Sequence, residues 1–219
     1  MAVPTRREDD FRLTREHLDE KVTERTKVLL LKFPNNPTGG VLESKDVEEV
    51  ADFACEHDLI VISDEIYAEL TYEGEHVSLA SLPGMRERTI FLHGMSKAWA
   101  MTGFRIGYAC APKVLIEAMM KIHQYSMLCA PVLSQKAAIE ALRDPRRDIE
   151  EMRAEYRRRR NLLMAEFKKM GLPCVKPKGA FYAFPYVGDL GISAYDFAMR
   201  FIKEHEVAVV PGTAFGEAG

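Results

Sequence analysis

The sequence predicts an α/β protein in which a mixed, mainly parallel sheet is followed by a smaller α+β unit. Three observations lead to this class. Short apolar runs alternate with a helical pattern in the first half, the second half is mostly amphipathic helix, and turn-forming residues separate the segments. A strand, a helix and a strand in that order favour a parallel βαβ unit with a right-handed crossover.

Strands are predicted where a short apolar run ends in polar or turn-forming residues. Such runs lie in the first half of the chain at residues 27–33, 59–63, 89–93 and 105–111. Apolar residues recur at helical spacing between the first two runs, from Ser44 to about His57, and Ser44 is the expected N-cap of that helix. The first three strands therefore lead into loops where open α/β sheets place their ligands.

The second half is predicted to be mostly helical. The expected helices cover residues 112–124, 131–142, 146–170 and 193–205, ordinary strands are expected at 180–184 and 207–210, and Gly171 is the expected C-cap of the long helix. One face of that helix is expected to be apolar, with Arg160 as the exception, and carries Ile149, Met152, Tyr156, Leu163, Phe167 and Met170. The basic run 157–160 is expected to be a solvated or interface face, because acidic residues flank it.

Composition and charge limit the function classes. Hydrophobic residues make up 47% and charged residues 29% of the chain, and the formal net charge is −3. This balance is typical of a globular protein and gives no reason to expect nucleic acid or a membrane as a partner. The four cysteines have no metal-ligand or C-x-x-C spacing, so we expect buried thiols in a reducing compartment and no metal site. With no signal-peptide layout at the start, the expected compartment is the cytoplasm.

The polar side chains that follow the strands are of different chemical kinds. Asn36 offers an amide, Asp64 a carboxylate and Lys97 an amine, and Arg105 adds a guanidinium eight positions after the lysine. An amine, a carboxylate, an amide and a guanidinium that converge on one crevice suggest a cofactor with a carbonyl, a ring nitrogen and a phosphate. Pyridoxal 5′-phosphate has all three groups.

Three segments resemble the signature blocks of class I/II aminotransferases, the fold type I enzymes. They are Asn-Asn-Pro-Thr-Gly at 35–39, Ser-Asp-Glu-Ile-Tyr at 63–67 and Ser-Lys-Ala-Trp-Ala-Met-Thr-Gly-Phe-Arg-Ile-Gly-Tyr at 96–108. Their order and separations are similar to those of the family, and segments 179–182 and 210–216 resemble the family's small domain. The resemblance implies a pyridoxal-phosphate-transferase-like large domain, present in part over 1–145, and an interdomain helix with an incomplete small domain over 146–219.

The resemblance also implies roles for the residues on the ring side of the cofactor. Lys97 forms the Schiff base and then shuttles a proton between the substrate Cα and the cofactor carbon. Asp64 pairs with the pyridine nitrogen, and Tyr67 and Asn36 hydrogen-bond the phenolic oxygen. Simpler readings stay open for three of them: Asp64 as a cap of the next turn, Asn36 as a turn former before proline, and Tyr67 as an amphipathic wall residue.

On the phosphate side, the resemblance assigns Arg105 to a bidentate pair with the phosphate, a geometry that lysine does not reproduce. Ser96 either adds a hydrogen bond to the phosphate or simply belongs to the turn. Gly94 stands where many relatives have a serine for the phosphate, so one phosphate contact differs from the family pattern.

The function implied is transfer of an amino group between an L-amino acid and a 2-oxo acid, in a homodimer. Residues 98–103 resemble the aspartate and aromatic branch of the family. Two alternatives stay open: a fold type I lyase or synthase, and a catalytically silent fragment that only dimerises or binds cofactor. The second arises because family members are nearly twice this length, so we expect the isolated chain to be weak or inactive.

Overall fold

The sheet has four strands in the order β1–β2–β3–β4 in the computed structural model, which describes residues 1–143 and 146–216. The strands are β1 (Val28–Lys32), β2 (Ile60–Asp64), β3 (Thr89–Gly94) and β4 (Gly107–Cys110). The first three are parallel and β4 is antiparallel to β3. The predicted α/β class, with a mixed and mainly parallel sheet, is confirmed.

Seven α-helices lie in the described ranges. They are α1 (Arg15–Asp19), α2 (Ser44–Glu56), α3 (Met95–Ala98), α4 (Lys113–Ser126), α5 (Val132–Arg143), α6 (Arg146–Met170) and α7 (Ala194–His205). The predicted bounds of the long helix agree at both ends, and Gly171 follows it with a φ of +68°. The expected domain division near residue 145 falls at 144–145, outside the described residues.

The main core lies between α2 and one face of the sheet. The apolar side of α2 contributes Val47, Val50 and Phe53, which pack with Leu31 and Val61 from the first two strands. All five side chains are buried. The crossover helix thus holds the neighbouring parallel strands in register, so that Lys32 lies opposite Asp64 at their carboxyl ends.

The predicted N-cap of α2 was wrong by one residue. Ser44 is the first helical residue, and Glu43 is the N-cap with extended backbone angles. The backbone N–H of Glu43 donates to Oδ2 of Asp46 at 2.9 Å. A carboxylate three positions into the helix therefore takes part in the capping, and Ser44 is not needed for it.

The two strands predicted in the second half were also wrong. Residues 180–184 form no strand, because Ala180 has a φ of +56°, which an extended strand does not allow. The β-type pairing around this region is limited, among the described residues, to two isolated bridges, Thr71 to Gly179 and Cys174 to Pro185. Residues 207–210 have no strand partner within the described ranges, and Val207, Val209 and Val210 are largely exposed.

Side-chain exposure corrects two further expectations. Cys55, Cys110 and Cys129 are exposed and Cys174 is half-buried, so these thiols are not core residues. On α6 the expected apolar face is incomplete: Leu163 and Met170 are exposed, whereas Arg160 is 6% exposed. The reason is an ion pair, since Arg160 Nη2 lies 3.1 Å from Glu73 Oε1.

Within the described residues, no helix has the length and apolar character needed to cross a membrane. In the same ranges, no group of three or more His, Cys, Asp and Glu side chains could hold a metal ion.

Candidate active site

The candidate site lies where the loops after β1, β2 and β3 meet. The first loop is folded by its own side chains, because Asn35 Oδ1 accepts a hydrogen bond from the Thr38 hydroxyl at 3.1 Å. The backbone N–H of Gly39 closes the turn on the Asn35 carbonyl at 3.0 Å. This turn presents the neighbouring side chain of Asn36 to the rest of the site.

Asn36 and Tyr67 are brought together by a third residue, Tyr182. The Asn36 amide donates to the Tyr182 hydroxyl at 3.2 Å, and the hydroxyl oxygens of Tyr67 and Tyr182 lie 2.6 Å apart. The two tyrosine rings meet edge to face, with centroids 5.7 Å apart. A compact group of one amide and two hydroxyls therefore joins two loops of the sheet to the C-terminal part of the chain.

Tyr67 is a buried residue, only 2% exposed, and this burial changes the pKa of its hydroxyl. Desolvation raises the pKa of Tyr67, and the Asp64 carboxylate acts in the same direction. A hydrogen bond from Asn36 works against this rise. Tyr67 thus keeps its proton across the physiological range and remains available as a hydrogen-bond donor.

Lys97 lies in α3, the short helix that follows β3, and points between two aromatic rings. Its Nζ is 5.4 Å from the Phe181 ring centroid and 5.8 Å from that of Tyr67. Its side chain is half-buried, and it forms no ion pair with any described residue. An amine in this position is held by cation–π attraction and keeps its nitrogen free for other partners.

Asp64 ends β2 and is half-buried. Its Oδ1 accepts the backbone N–H of Ile66 at 3.2 Å, so the turn-capping interpretation of this residue describes a real contact. No ion pair joins Asp64 to a cation among the described residues. One carboxylate oxygen therefore holds the turn that leads to Tyr67, and the group still has acceptor capacity for a further donor.

The phosphate-side candidates are less closely joined to this cluster. Arg105 is exposed, has a φ of +50°, and its Nη1 donates to the Thr102 carbonyl at 3.0 Å. Ser96 is half-buried in α3, and its hydroxyl makes no hydrogen bond to a described residue. The structure thus brings Asn36, Tyr67 and Lys97 together, whereas no hydrogen bond or ion pair among the described residues joins Arg105 or Ser96 to them.

The sequence interpretation assigned no role to Tyr182 or Phe181. Their segment is held against the first loop by backbone bonds: the Gly39 carbonyl accepts the N–H groups of Lys178 at 2.9 Å and Gly179 at 3.0 Å. The only signal in the sequence was that residues 179–182 resemble a family segment. Nothing in local periodicity reports a contact between residues so far apart along the chain.

Comparisons with known proteins point to one family. The family described as "Aminotransferase class I and II" matches residues 1–219. An aspartate aminotransferase of Pyrococcus abyssi is 53% identical and the aromatic-amino-acid aminotransferase 2 of Thermococcus litoralis is 51% identical, each over 100% of this chain. The chain spans 57% of the length of each of these curated relatives.

Solved structures give the same result. An aromatic aminotransferase from Pyrococcus horikoshii superposes with a TM-score of 0.96 at 51% identity, over 100% of this chain and 60% of that one. The aspartate aminotransferase of Thermus thermophilus with maleate gives 0.94 at 41% identity, over 98% and 56%. This chain belongs to the class I and II aminotransferase family. The cofactor of that family is pyridoxal 5′-phosphate.

The residues present fit this cofactor. Lys97 offers an amine that has no anionic partner among the described residues, and Asp64 offers a carboxylate oxygen. Arg105 offers guanidinium N–H groups that a backbone carbonyl only partly satisfies. These groups match an aldehyde, a protonated ring nitrogen and a phosphate in turn. Tyr67 and Asn36 supply the O–H and N–H donors that a phenolic oxygen accepts.

Proposed function

We propose that the protein carrying this chain is a pyridoxal-phosphate-dependent aminotransferase that moves an amino group between an L-amino acid and a 2-oxo acid. The observation that carries the proposal is the position of Lys97, whose amine lies between the Tyr67 and Phe181 rings without an ion-pair partner among the described residues. An amine held in this way is suited to covalent catalysis, because no carboxylate in the described part of the chain forms an ion pair with it.

When bound, pyridoxal phosphate supplies an aldehyde that can be joined to an amine and a ring that withdraws electrons from the substrate Cα. Lys97 would hold the aldehyde carbon of the cofactor, and its amine would move the proton at the substrate Cα. The aromatic walls on either side of Lys97 restrict the directions in which its Nζ can move. Positioning of this kind lowers the barrier for proton transfer.

Asp64, Tyr67, Asn36 and Arg105 orient the cofactor in this proposal. Asp64 holds a proton at the ring nitrogen, Tyr67 and Asn36 donate to the phenolic oxygen, and Arg105 binds the phosphate. Ser96 adds a phosphate contact from the same helix as Lys97. The Asp64 carboxylate would matter most for rate, because a negative charge beside the ring nitrogen would favour the transition state more than it favours binding.

The substrates are proposed from the relatives. An aspartate aminotransferase and an aromatic-amino-acid aminotransferase match the whole of this chain at 51 to 53% identity. We therefore propose an acidic or aromatic L-amino acid as the donor and a 2-oxo acid as the acceptor.

The assembly is proposed to be a homodimer. Large apolar side chains on α4, α5 and the turn between them are more than 60% exposed, namely Val114, Ile122, Tyr125, Met127, Leu128, Val132 and Leu133. An exposed apolar surface of this kind favours association with another protein surface. We further propose a cytoplasmic location and a division into 1–145, part of the cofactor-binding domain, and 146–219, the interdomain helix with part of a small domain.

The test is spectroscopic and uses the complete polypeptide that carries this chain. With pyridoxal phosphate, the wild-type protein should show a visible absorption band that borohydride abolishes, and Lys97→Ala should show none. Addition of aspartate or phenylalanine should then convert the bound cofactor to its amine form. The matched control is Lys113→Ala, which removes an exposed lysine of α4. A band of equal strength in Lys97→Ala would overturn the proposal.

A further inference from the structure

The Tyr182 hydroxyl lies at the junction of the two side chains that the proposed function assigns to the phenolic oxygen. Asn36 Nδ2 is 3.2 Å from the Tyr182 oxygen, and the Tyr67 oxygen is 2.6 Å from it. Tyr182 comes from the C-terminal part of the chain, whereas the other two residues follow β1 and β2. It is therefore placed to influence both donors at once.

Either hydroxyl can be the donor in the short contact between Tyr67 and Tyr182, so its direction depends on where each proton is needed. The Asn36 amide can only donate through its nitrogen, so the Tyr182 oxygen accepts from it. One proton lies between Tyr182 and Tyr67, and each hydroxyl has one to give. If Tyr67 supplied that proton, it would have none left for the phenolic oxygen of the cofactor.

We propose that Tyr182 is a positioning residue that accepts from Asn36 and donates its own proton to Tyr67, which leaves the Tyr67 proton free to point at the cofactor. The inference rests on the proposed function, because it takes the phenolic oxygen as the acceptor. Donors in a chain polarise one another, so the Tyr67 O–H becomes a stronger donor than an isolated hydroxyl. Desolvation, which raises the pKa of Tyr67, keeps that proton in place.

The surroundings of Tyr182 provide the control. Tyr156 belongs to the same cluster of side chains and stacks on Phe181 with centroids 5.3 Å apart. Its hydroxyl makes no hydrogen bond to a described residue. Tyr156→Phe thus removes one oxygen atom from the same aromatic cluster without touching the proposed chain of donors.

The experiment compares the pH at which the visible band of the lysine-bound cofactor changes in wild type, Tyr182→Phe and Tyr156→Phe. In Tyr182→Phe the Tyr67 O–H should be a weaker donor to the phenolic oxygen, so this midpoint should rise. We expect a rise on the order of half a pH unit, because cooperative polarisation contributes only part of the strength of a hydrogen bond to a charged group. Tyr156→Phe should match wild type. The cofactor should remain bound in all three proteins.

Equal midpoints in wild type and Tyr182→Phe would overturn the inference while leaving the aminotransferase proposal intact. A wild-type protein without a borohydride-sensitive band would overturn both. Should Tyr182→Phe fail to fold, a neutron structure of the deuterated wild-type holoprotein decides. A deuteron on Tyr182 directed at Tyr67 supports the inference, and one on Tyr67 directed at Tyr182 overturns it.

Discussion

The Nε2 atom of His76 lies 2.5 Å from the Oε2 atom of Glu65. Glu65 is buried, and in the sequence it stands between Asp64 and the turn that carries Tyr67. The other carboxylate oxygen of Glu65 accepts the hydroxyls of Ser63 and Ser78, each at 2.9 Å. A buried carboxylate with donors on both oxygens ties the end of β2 to the loop at 76–78.

Glu65→Gln is expected to destabilise the protein by about 2–3 kcal/mol. The glutamine amide has one acceptor oxygen for the three donors that the carboxylate binds with two, and its NH2 group would face a donor instead of an acceptor. Urea unfolding followed by circular dichroism measures the change. Glu75→Gln, at an exposed position of the same loop, should stay within about 0.5 kcal/mol of wild type. Equal stability of the two variants would contradict the role given to Glu65.

Asp64→Asn is expected to retain the lysine-bound cofactor in the complete polypeptide and to slow transamination on the order of 10²-fold or more, since the carboxylate acts mainly on charge that develops in the transition state. Stopped-flow spectra of the half-reaction with aspartate measure the rate. Asp64→Glu keeps the charge and should recover part of the loss. A rate for Asp64→Asn equal to that of wild type would remove the assignment to the ring nitrogen.

Arg160→Ala should cost about 3 kcal/mol of unfolding free energy, because it leaves buried partners without their donor. Arg160 Nη1 donates to the Pro177 carbonyl at 2.7 Å, and the guanidinium lies 5.2 Å from the Tyr72 ring centroid. Arg157→Ala is the control, at an exposed position of the same helix. Comparable losses in denaturant titrations of both variants would show that the buried contacts matter little.

Gly39→Ala is expected to be more harmful than Gly74→Ala, although both glycines have positive φ, +70° and +76°. A Cβ at Gly39 would collide with the Cβ of Pro177, whereas a Cβ at Gly74 meets nothing within 4 Å. Gly74→Ala should cost about 1 kcal/mol from backbone strain alone. Thermal unfolding of the two variants separates the effect of backbone strain, which both share, from the effect of the collision, which only Gly39→Ala has. Similar melting temperatures of the two variants would contradict the close approach of Gly39 to Pro177.

Stability should fall as the pH rises above about 10, the pKa of an unfolded tyrosine. Burial raises the pKa values of Tyr67 and Tyr72 in the folded protein, so folding favours their neutral forms and this stabilisation is lost once the unfolded chain ionises. Tyr72→Phe should flatten the decline in urea titrations between pH 9 and 11. An unchanged slope in Tyr72→Phe would contradict this cause.

Local patterns predicted the sheet and most helices because each of these elements carries its own signal. The apolar runs of β1 and β2 and the amphipathic spacing of α2 can be recognised in the sequence without knowing which elements they pack against. The long helix α6 was predicted to its last residue because Gly171 marks its end. Segment 180–184 was mistaken for a strand because its composition resembles one, while its backbone is set by a long-range contact: the Tyr72 hydroxyl donates to the Ala180 carbonyl.

The candidate site was predictable to the same extent. Asn36, Tyr67 and Lys97 each follow a strand of one parallel sheet, so their convergence follows from topology. Tyr182 reaches them from outside the sheet, and Arg160 is buried because Glu73 neutralises it. Both depend on tertiary pairing between distant segments, which residue type and periodicity do not encode.

The hydrogen bond between Asn36 and Tyr182 joins residues 146 positions apart, and this separation has a consequence for biosynthesis. The unit β1–α2–β2 contains only near neighbours, so it can form while the rest of the chain is still being made. The hydrogen bonds that join Asn36, Tyr67 and Tyr182 can form only after Tyr182 has left the ribosome and the chain between these residues has brought its ends together. Capture of the cofactor should therefore be a late event in the life of the nascent chain.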